Sequence, residues 1–530
     1  MWIKNSYICR TLSISTLSTN VKRYLLLPVL AILVLSCNTR PDSSEFLQPQ
    51  VSECDVEIDG YKATYSCTIR GSAPIRTSGF AVSVNGGAET RTDVALAGDR
   101  MTMEVRGLEP GASYSIRAYV SNGRNEVFGP QKGFVIEETD PVVPIPDSVF
   151  KEYLLSEFDE NGDGQISMFE AELIYGIDVR TDNIHSLEGV EHFKNLEWLT
   201  AGGTNTENDK RNGQLRKVDL SANSHLRSIE LSINNIEKLK LPRNASRLES
   251  LYCWLNRIDT LDVSSCPNLK TIYCWMNQLT GLDVSHNPEL EDLRCAQNDF
   301  YENGLDVSSN PKLRYLWCND DELTSIDISH NPLLEEFGCY DNDISSVDLS
   351  PNLKLRIVHC ENTLISHLNV SMLPDLEELS CGDNRIYEPV DVSKNPKLKR
   401  YAANGLRMTC APDLSHNPHL TQIHISGTGG AEFIGKDFFC SWPNLEGVNF
   451  CVYRGVELDL SQNGKLRDVW AGDMPNMKVL DLSASPYLQF ICINGSRALE
   501  KVYVNDAVDI SRLRVEKTDD VTAVTEHKRL

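Results

Sequence analysis

The sequence predicts a mixed architecture: a β-sandwich, a small helical cap around a cation-binding loop, and a curved solenoid with a parallel β-sheet on its concave face. Three observations predict it. Residues 51–136 read as short strands broken by turn residues about every 8–12 positions. Asp159 to Glu170 is an acidic, glycine-bearing run. Cys253, Cys274, Cys295, Cys318, Cys339, Cys360 and Cys381 recur at intervals of 21, 21, 23, 21, 21 and 21 residues.

Composition narrows the partners. The chain has 530 residues, 24% charged and 41% hydrophobic, which fits a soluble globular protein. It carries 51 Lys plus Arg against 75 Asp plus Glu, a net charge of −24. The first 36 residues hold four positive charges (Lys4, Arg10, Lys22, Arg23) and no negative ones, so the remainder carries −28. A field of that sign repels phosphate backbones and anionic headgroups, which excludes nucleic acid. It suits Ca²⁺, basic proteins or neutral glycans.

The first element is a leader, residues 1–36. Tyr24 to Leu35 is apolar, follows Lys22 and Arg23, and ends in Val34-Leu35-Ser36-Cys37. Twelve residues are too few to span a bilayer, which takes roughly 20. A basic flank, a short apolar core and a small residue before the break describe a secretory signal. This stretch resembles a bacterial lipoprotein signal with its lipobox. The resemblance implies that Cys37 is the lipidated first residue and that the membrane, an outer membrane, is touched only through that anchor. Residues 37–50 are a polar tether.

The sandwich, residues 51–136, includes Leu108-Glu109-Pro110-Gly111-Ala112-Ser113-Tyr114 before a strand alternating Tyr114, Ile116, Ala118 and Val120. A Tyr opening a late strand and tied back to the preceding corner is a tyrosine corner. The stretch resembles a fibronectin type III domain, which implies a spacer. Cys54 and Cys67 flank the Asp59-Gly60 turn, and either a bridge across a hairpin or two buried thiols fits. Residues 137–148, with Pro141, Pro144 and Pro146, are a stiff linker.

The cap, residues 149–186, holds the acidic loop. Ca²⁺ takes six to eight oxygens, and the spacing supplies them. Asp159, Asn161 and Asp163 give side-chain oxygens, Gln165 its backbone carbonyl, Ser167 a direct or water-mediated contact, and Glu170 two closing oxygens. Gly164 makes the sharp turn and Ile166 points to the core. The run resembles an EF-hand or dockerin loop. Such loops usually come in pairs and this one stands alone, which points to a weak, structural calcium site.

The solenoid spans residues 187–513, about a dozen repeats, followed by a tail, 514–530. Its phrase is Leu-x-x-Leu-x-Cys-x-x-Asn, then Leu-Asp-Val-Ser-x-Asn-Pro. This is a leucine-rich repeat with Cys in the third leucine slot. The 21-residue repeat with a Cys ladder resembles the internalin J type of surface adhesin, and arrays preceded by EF-hand-like segments in Bacteroidetes lipoproteins. That resemblance implies binding rather than catalysis. After Cys381 the slot passes to Ala403, Ile425, Phe450 and Ala471. Inward thiols stacked about 4.8 Å apart form an inert column, and Asn256, Asn277, Asn298, Asn342 and Asn384 satisfy buried backbone groups.

Residues beside each Cys project onto the concave face. They give Tyr252, Trp254, Tyr273, Trp275 and Arg294, with Tyr315, Trp317 and Tyr340 further along. Aromatics with Arg are the usual interface anchors, and the same rings suit sugar faces; cross-strand packing that stiffens the sheet is the structural alternative. His286, His330 and His416 belong to the Ser-His-Asn-Pro turn, and His416, His419 and His424 face solvent without metal-like spacing. No HExxH, GxSxG, P-loop or dinucleotide fingerprint occurs, so no enzyme is expected. The expected function is an envelope-anchored adhesin or scaffold binding a protein, on the surface or periplasmic side of the outer membrane; the alternative is glycan capture.

Overall fold

The computed structural model describes residues 48–204, 211–427 and 431–528. The leader and Cys37 lie outside the described residues. Among these, no helix is long and apolar enough to cross a membrane.

Two antiparallel sheets open the described chain. One contains Gln50–Val51, Asp55–Asp59, Lys62–Arg70 and Arg100–Val105; the other Thr77–Val84, Thr90–Asp93, Ser113–Ser121, Glu126–Phe128 and Lys132–Val135. Tyr65, Phe80, Met101 and Ile116 fill the core they share. The Tyr114 hydroxyl accepts the Glu109 N–H at 2.8 Å, fastening the strand to the corner before it. Cys54 and Cys67 are free, buried thiols. Burial pushes Cys54 up to about 11 and Cys67 up to about 12.

Helix α1 (Ser148–Phe158) and helix α2 (Met168–Leu173) flank the acidic loop. Asp147 caps α1 by accepting the Val149 and Phe150 N–H groups, and its other oxygen takes those of His185 and Ser186. Phe150, Leu154 and Ile166 belong to the same core as the repeats, which runs unbroken from Val143 to Ala523. Cap and solenoid therefore bury one apolar column.

The repeats pair into a 16-stranded parallel sheet in chain order, from Gly176–Asp178 to Arg514–Glu516. That is more than the dozen expected, and it begins before residue 187. The Gly176 strand carries the repeat phrase without leucine or cysteine; Ile174, Ile177 and Val179 fill its inward slots. A Cβ on Gly176 would come within 1.9 Å of the Trp198 ring, so glycine there lets the neighbouring strand dock. At the other end, Arg514–Glu516 and Val524–His527 pair with preceding strands, so residues 514–528 extend the array rather than forming a tail.

Two asparagine columns hold successive repeats at fixed spacing. In the first, Asn256, Asn277, Asn298, Asn342 and Asn384 each donate to carbonyls of their own and the preceding repeat. The residue before each sits in the left-handed region, as Leu255 does at φ 54°. The second column is the Asn of the Ser-x-Asn turn, usually followed by Pro, to which the sequence alone assigns no role. Asn310, Asn331 and Asn352 are fully buried and each reaches back to two carbonyls at 2.9–3.0 Å. Their signal was the fixed spacing of four residues after the turn aspartate. The seven ladder thiols are fully buried and free.

Candidate functional sites: the acidic loop and the concave face

In the loop, side-chain oxygens organise the backbone. Asp159 accepts N–H groups of Gly162, Asp163 and Gly164 at 2.8–3.2 Å. Asn161 takes the Asp163 N–H and Asp163 that of Gln165, both at 2.8 Å. Glu170, only 4% exposed, reaches back across the loop to the Glu160 N–H at 3.1 Å and, with its second oxygen, to Ser167 at 2.9 Å. The Ser167 hydroxyl returns the bond by accepting the Glu170 N–H at 3.1 Å, a reciprocal cap on α2. Gly162 and Gly164 have φ of +71° and +79°, which only glycine adopts without strain.

Asp159, Asn161, Asp163, Ser167 and Glu170 thus all fold side-chain oxygens back on the one loop, and oxygens are what a hard cation takes. The loop's carboxylates do not close on one another as tightly as another group does. Among the described residues, only Asp437, Cys440 and Asp459 bring three metal-ligating atoms within 4.8 Å of one another. Two of those three are exposed and the thiol is a soft donor among hard ones.

On the concave face, Tyr252, Tyr273, Arg294, Trp317, Gly338 and His359 occupy one register column. The aromatics are half-buried, because they pack on each other. Trp254 and Trp275 stack with centroids 4.4 Å apart and planes 4° from parallel; Tyr252 meets Tyr273 edge-on at 5.1 Å. Arg294 lies 4.8 Å from the Tyr273 ring centroid. Asp292, which sequence reasoning did not single out, fixes both: it accepts the Tyr273 hydroxyl at 2.6 Å and Arg294 Nε at 3.1 Å. Burial and Asp292 together push the Tyr273 hydroxyl well above its ordinary range.

The remaining predicted residues do not join that cluster. Tyr315 packs against Arg314 at 5.3 Å. Trp317 leans over Gly338 and meets His359 edge-on at 5.4 Å. Tyr340 stands among Glu361, Asp341 and Asp320; burial first, and then those carboxylates, push it up to about 12. His424 is half-buried rather than open to solvent. Its ring lies 5.5 Å from Trp470, and burial brings it down to about 4.

Gly338 is the position that makes room. A Cβ there would stand 2.3 Å from Trp317 Cε3, closer than any real contact. Gly338→Ala therefore expels the indole from its seat, at a cost of about 1–3 kcal/mol. The expected signature is a red shift of tryptophan emission without loss of the far-ultraviolet circular dichroism.

No family model matches the chain, and no curated protein does. Solved structures do. The functional domain of InlJ from Listeria monocytogenes, which includes a cysteine ladder, aligns at TM-score 0.57 and 24% identity over 69% of this chain and 84% of that one. The Leptospira interrogans leucine-rich-repeat protein LIC12759 aligns at 0.49 and 16%, over 65% and 93%. The internalin InlF of Listeria monocytogenes aligns at 0.42 and 14%, over 74% and 99%. The likeness to InlJ is one of fold: the chain is built as a leucine-rich-repeat solenoid around a column of cysteines.

Proposed function

We propose that the chain is a cell-envelope-anchored binding protein, an adhesin or scaffold, that takes a protein partner on its concave face. Cys37 carries the lipid anchor at the outer membrane, and the loop from Asp159 to Glu170 holds a structural calcium ion. The observation that carries this reading is the cluster of Tyr252, Trp254, Tyr273, Trp275 and Arg294 on two adjacent repeats and the next. Half-exposed rings and an arginine, held in place by a half-buried aspartate, are the composition of interface hot spots. The stacked indoles cover each other's facing surfaces. Sugar platforms need an open ring face, whereas protein anchors can be presented edge-on. The long curved sheet suits a wide protein footprint, and the charge of −28 beyond the leader suits a basic one.

The test is a binding screen of the full chain against extracellular proteins and a glycan array, with the Trp254→Ala/Trp275→Ala variant alongside. Selective binding of one protein, weakened about 30-fold or more in the variant, supports the reading. Selective glycan binding lost in the variant replaces it with polysaccharide capture. Binding indifferent to both tryptophans removes the site from this face.

A further inference from the structure

A loop that elsewhere works in pairs stands alone in this sequence, and the linker before it pairs with its second half. Val143 N–H donates to the Ile166 carbonyl at 2.8 Å, and Val142 forms an isolated antiparallel bridge with Ser167. The Met168 N–H donates to the Pro141 carbonyl at 2.8 Å. The linker thus runs as a strand along loop positions eight to ten. Val143 is 3% exposed, so it is packed rather than draped.

The same segment grips the sandwich. Asp140 Oδ1 accepts the Tyr61 hydroxyl at 2.9 Å and the Phe169 N–H at 3.0 Å, one oxygen serving both sides of the joint. The Phe169 ring meets Tyr61 edge-on at 5.3 Å. Met168 packs against both hydrophobic cores, that of the sandwich and that of the solenoid. Further along, Arg106 of the sandwich donates to Asn195 and lies 3.3 Å from His225, both in the array. Residues at loop positions ten and eleven are therefore part of the contact between the two bodies, beside Arg106, and the residue at twelve is Glu170.

We infer that residues 140–143 act as the missing partner loop, so that cation binding between Asp159 and Glu170 and the docking of the sandwich on the solenoid are one coupled equilibrium. The inference rests on the calcium reading above. Seating the ion fixes Glu170, Glu170 fixes the start of α2, and α2 presents Phe169 and Met168 to Tyr61 and Asp140. By reciprocity, an intact joint raises the affinity of the loop. Asp140, Val143 and Tyr61 are positioning residues; none ligates the ion.

The experiment uses the full chain and two readouts. Ca²⁺ affinity is measured by calorimetry, with terbium luminescence as a check on the site. Protease cleavage within 137–143 is timed in Ca²⁺ and in chelator. For the native chain, chelator is expected to speed linker cleavage about ten-fold, and Ca²⁺ to restore protection. Asp140→Ala is expected to weaken Ca²⁺ about three- to ten-fold and to abolish the protection. Val143→Pro, which lacks the N–H given to Ile166, does the same, and Tyr61→Phe, which keeps the ring, does so to a smaller extent. Circular dichroism of each variant excludes global unfolding. Native-like affinity in the variants, together with cleavage indifferent to Ca²⁺, overturns the coupling while leaving the calcium reading intact. A native chain that binds neither Ca²⁺ nor terbium overturns both.

Discussion

Asp321→Asn is expected to stabilise the solenoid, by an amount that grows with pH. Asp321 occupies the place in the first asparagine column that Asn298 and Asn342 fill on either side. Those asparagines donate to the carbonyls of Cys274 and Cys295, and of Cys318 and Cys339. The carboxyl of Asp321 is fully buried; Oδ1 accepts the Asn298 N–H at 2.7 Å, and Oδ2 has no partner. By the column's pattern Oδ2 faces the carbonyls of Cys295 and Cys318, where only a proton makes it a donor. Burial, opposed by the Asn298 bond and helped by Asp320, raises its pKa to about 8. A raised acid costs nothing below its unfolded value, near 4, where both states are protonated. The cost accumulates as pH rises and levels off above about 8. At pH 7 it reaches on the order of 4 kcal/mol, which Asn, uncharged and already a donor, avoids. Denaturant titrations of both chains at pH 4, 7 and 9 check this: the gap between them should be small at pH 4 and largest at 9. A gap constant across pH would mean that the native carboxyl is not held protonated.

Asn331→Ala is expected to destabilise by about 2–3 kcal/mol, the cost of withdrawing a buried donor from two carbonyls. Its carboxamide donates to the carbonyls of Val307 and Asn310, both at 2.9 Å, and is fully buried. Because each repeat rests on the one before, the loss lies at a single interface between stacked repeats. Denaturation followed by tryptophan emission should then show a lowered midpoint and a broader transition. Asn331→Asp provides the mirror of the first prediction, with a cost rising with pH. An alanine variant as stable as the native chain would reduce the second column to packing alone.

The array was legible because its chemistry is periodic. A thiol every 21 residues (once 23) and, after five of the seven, an asparagine three residues later state both the inward face and the turn. The strands at Gly176 and Arg514 were missed because they lack the array's run of leucines and cysteine: Ile174, Ile177 and Val179 fill the inward slots of the first, and Leu513 with the partly buried Val515 those of the last. For the aromatics beside the ladder, the sequence does not say that Trp254 and Trp275 stack, or that Asp292 steers Tyr273 and Arg294. Those depend on rotamers chosen across strands. His424 was misplaced because the bulk around it comes from Trp470, 46 positions on.

The sealed thiol column also sets a clock. Folded, Cys253 to Cys381 are out of reach of any oxidant, and burial holds the thiols protonated, Cys381 near 12. Unfolded, the same seven have ordinary acidity and are open to cross-linking in any compartment that makes disulfides. Any pair joined before the sheet closes would lock two repeats in the wrong order. The ladder therefore rewards a chain that zips its repeats together faster than its environment can cross-link them, and short-range stacking is the topology that permits such speed.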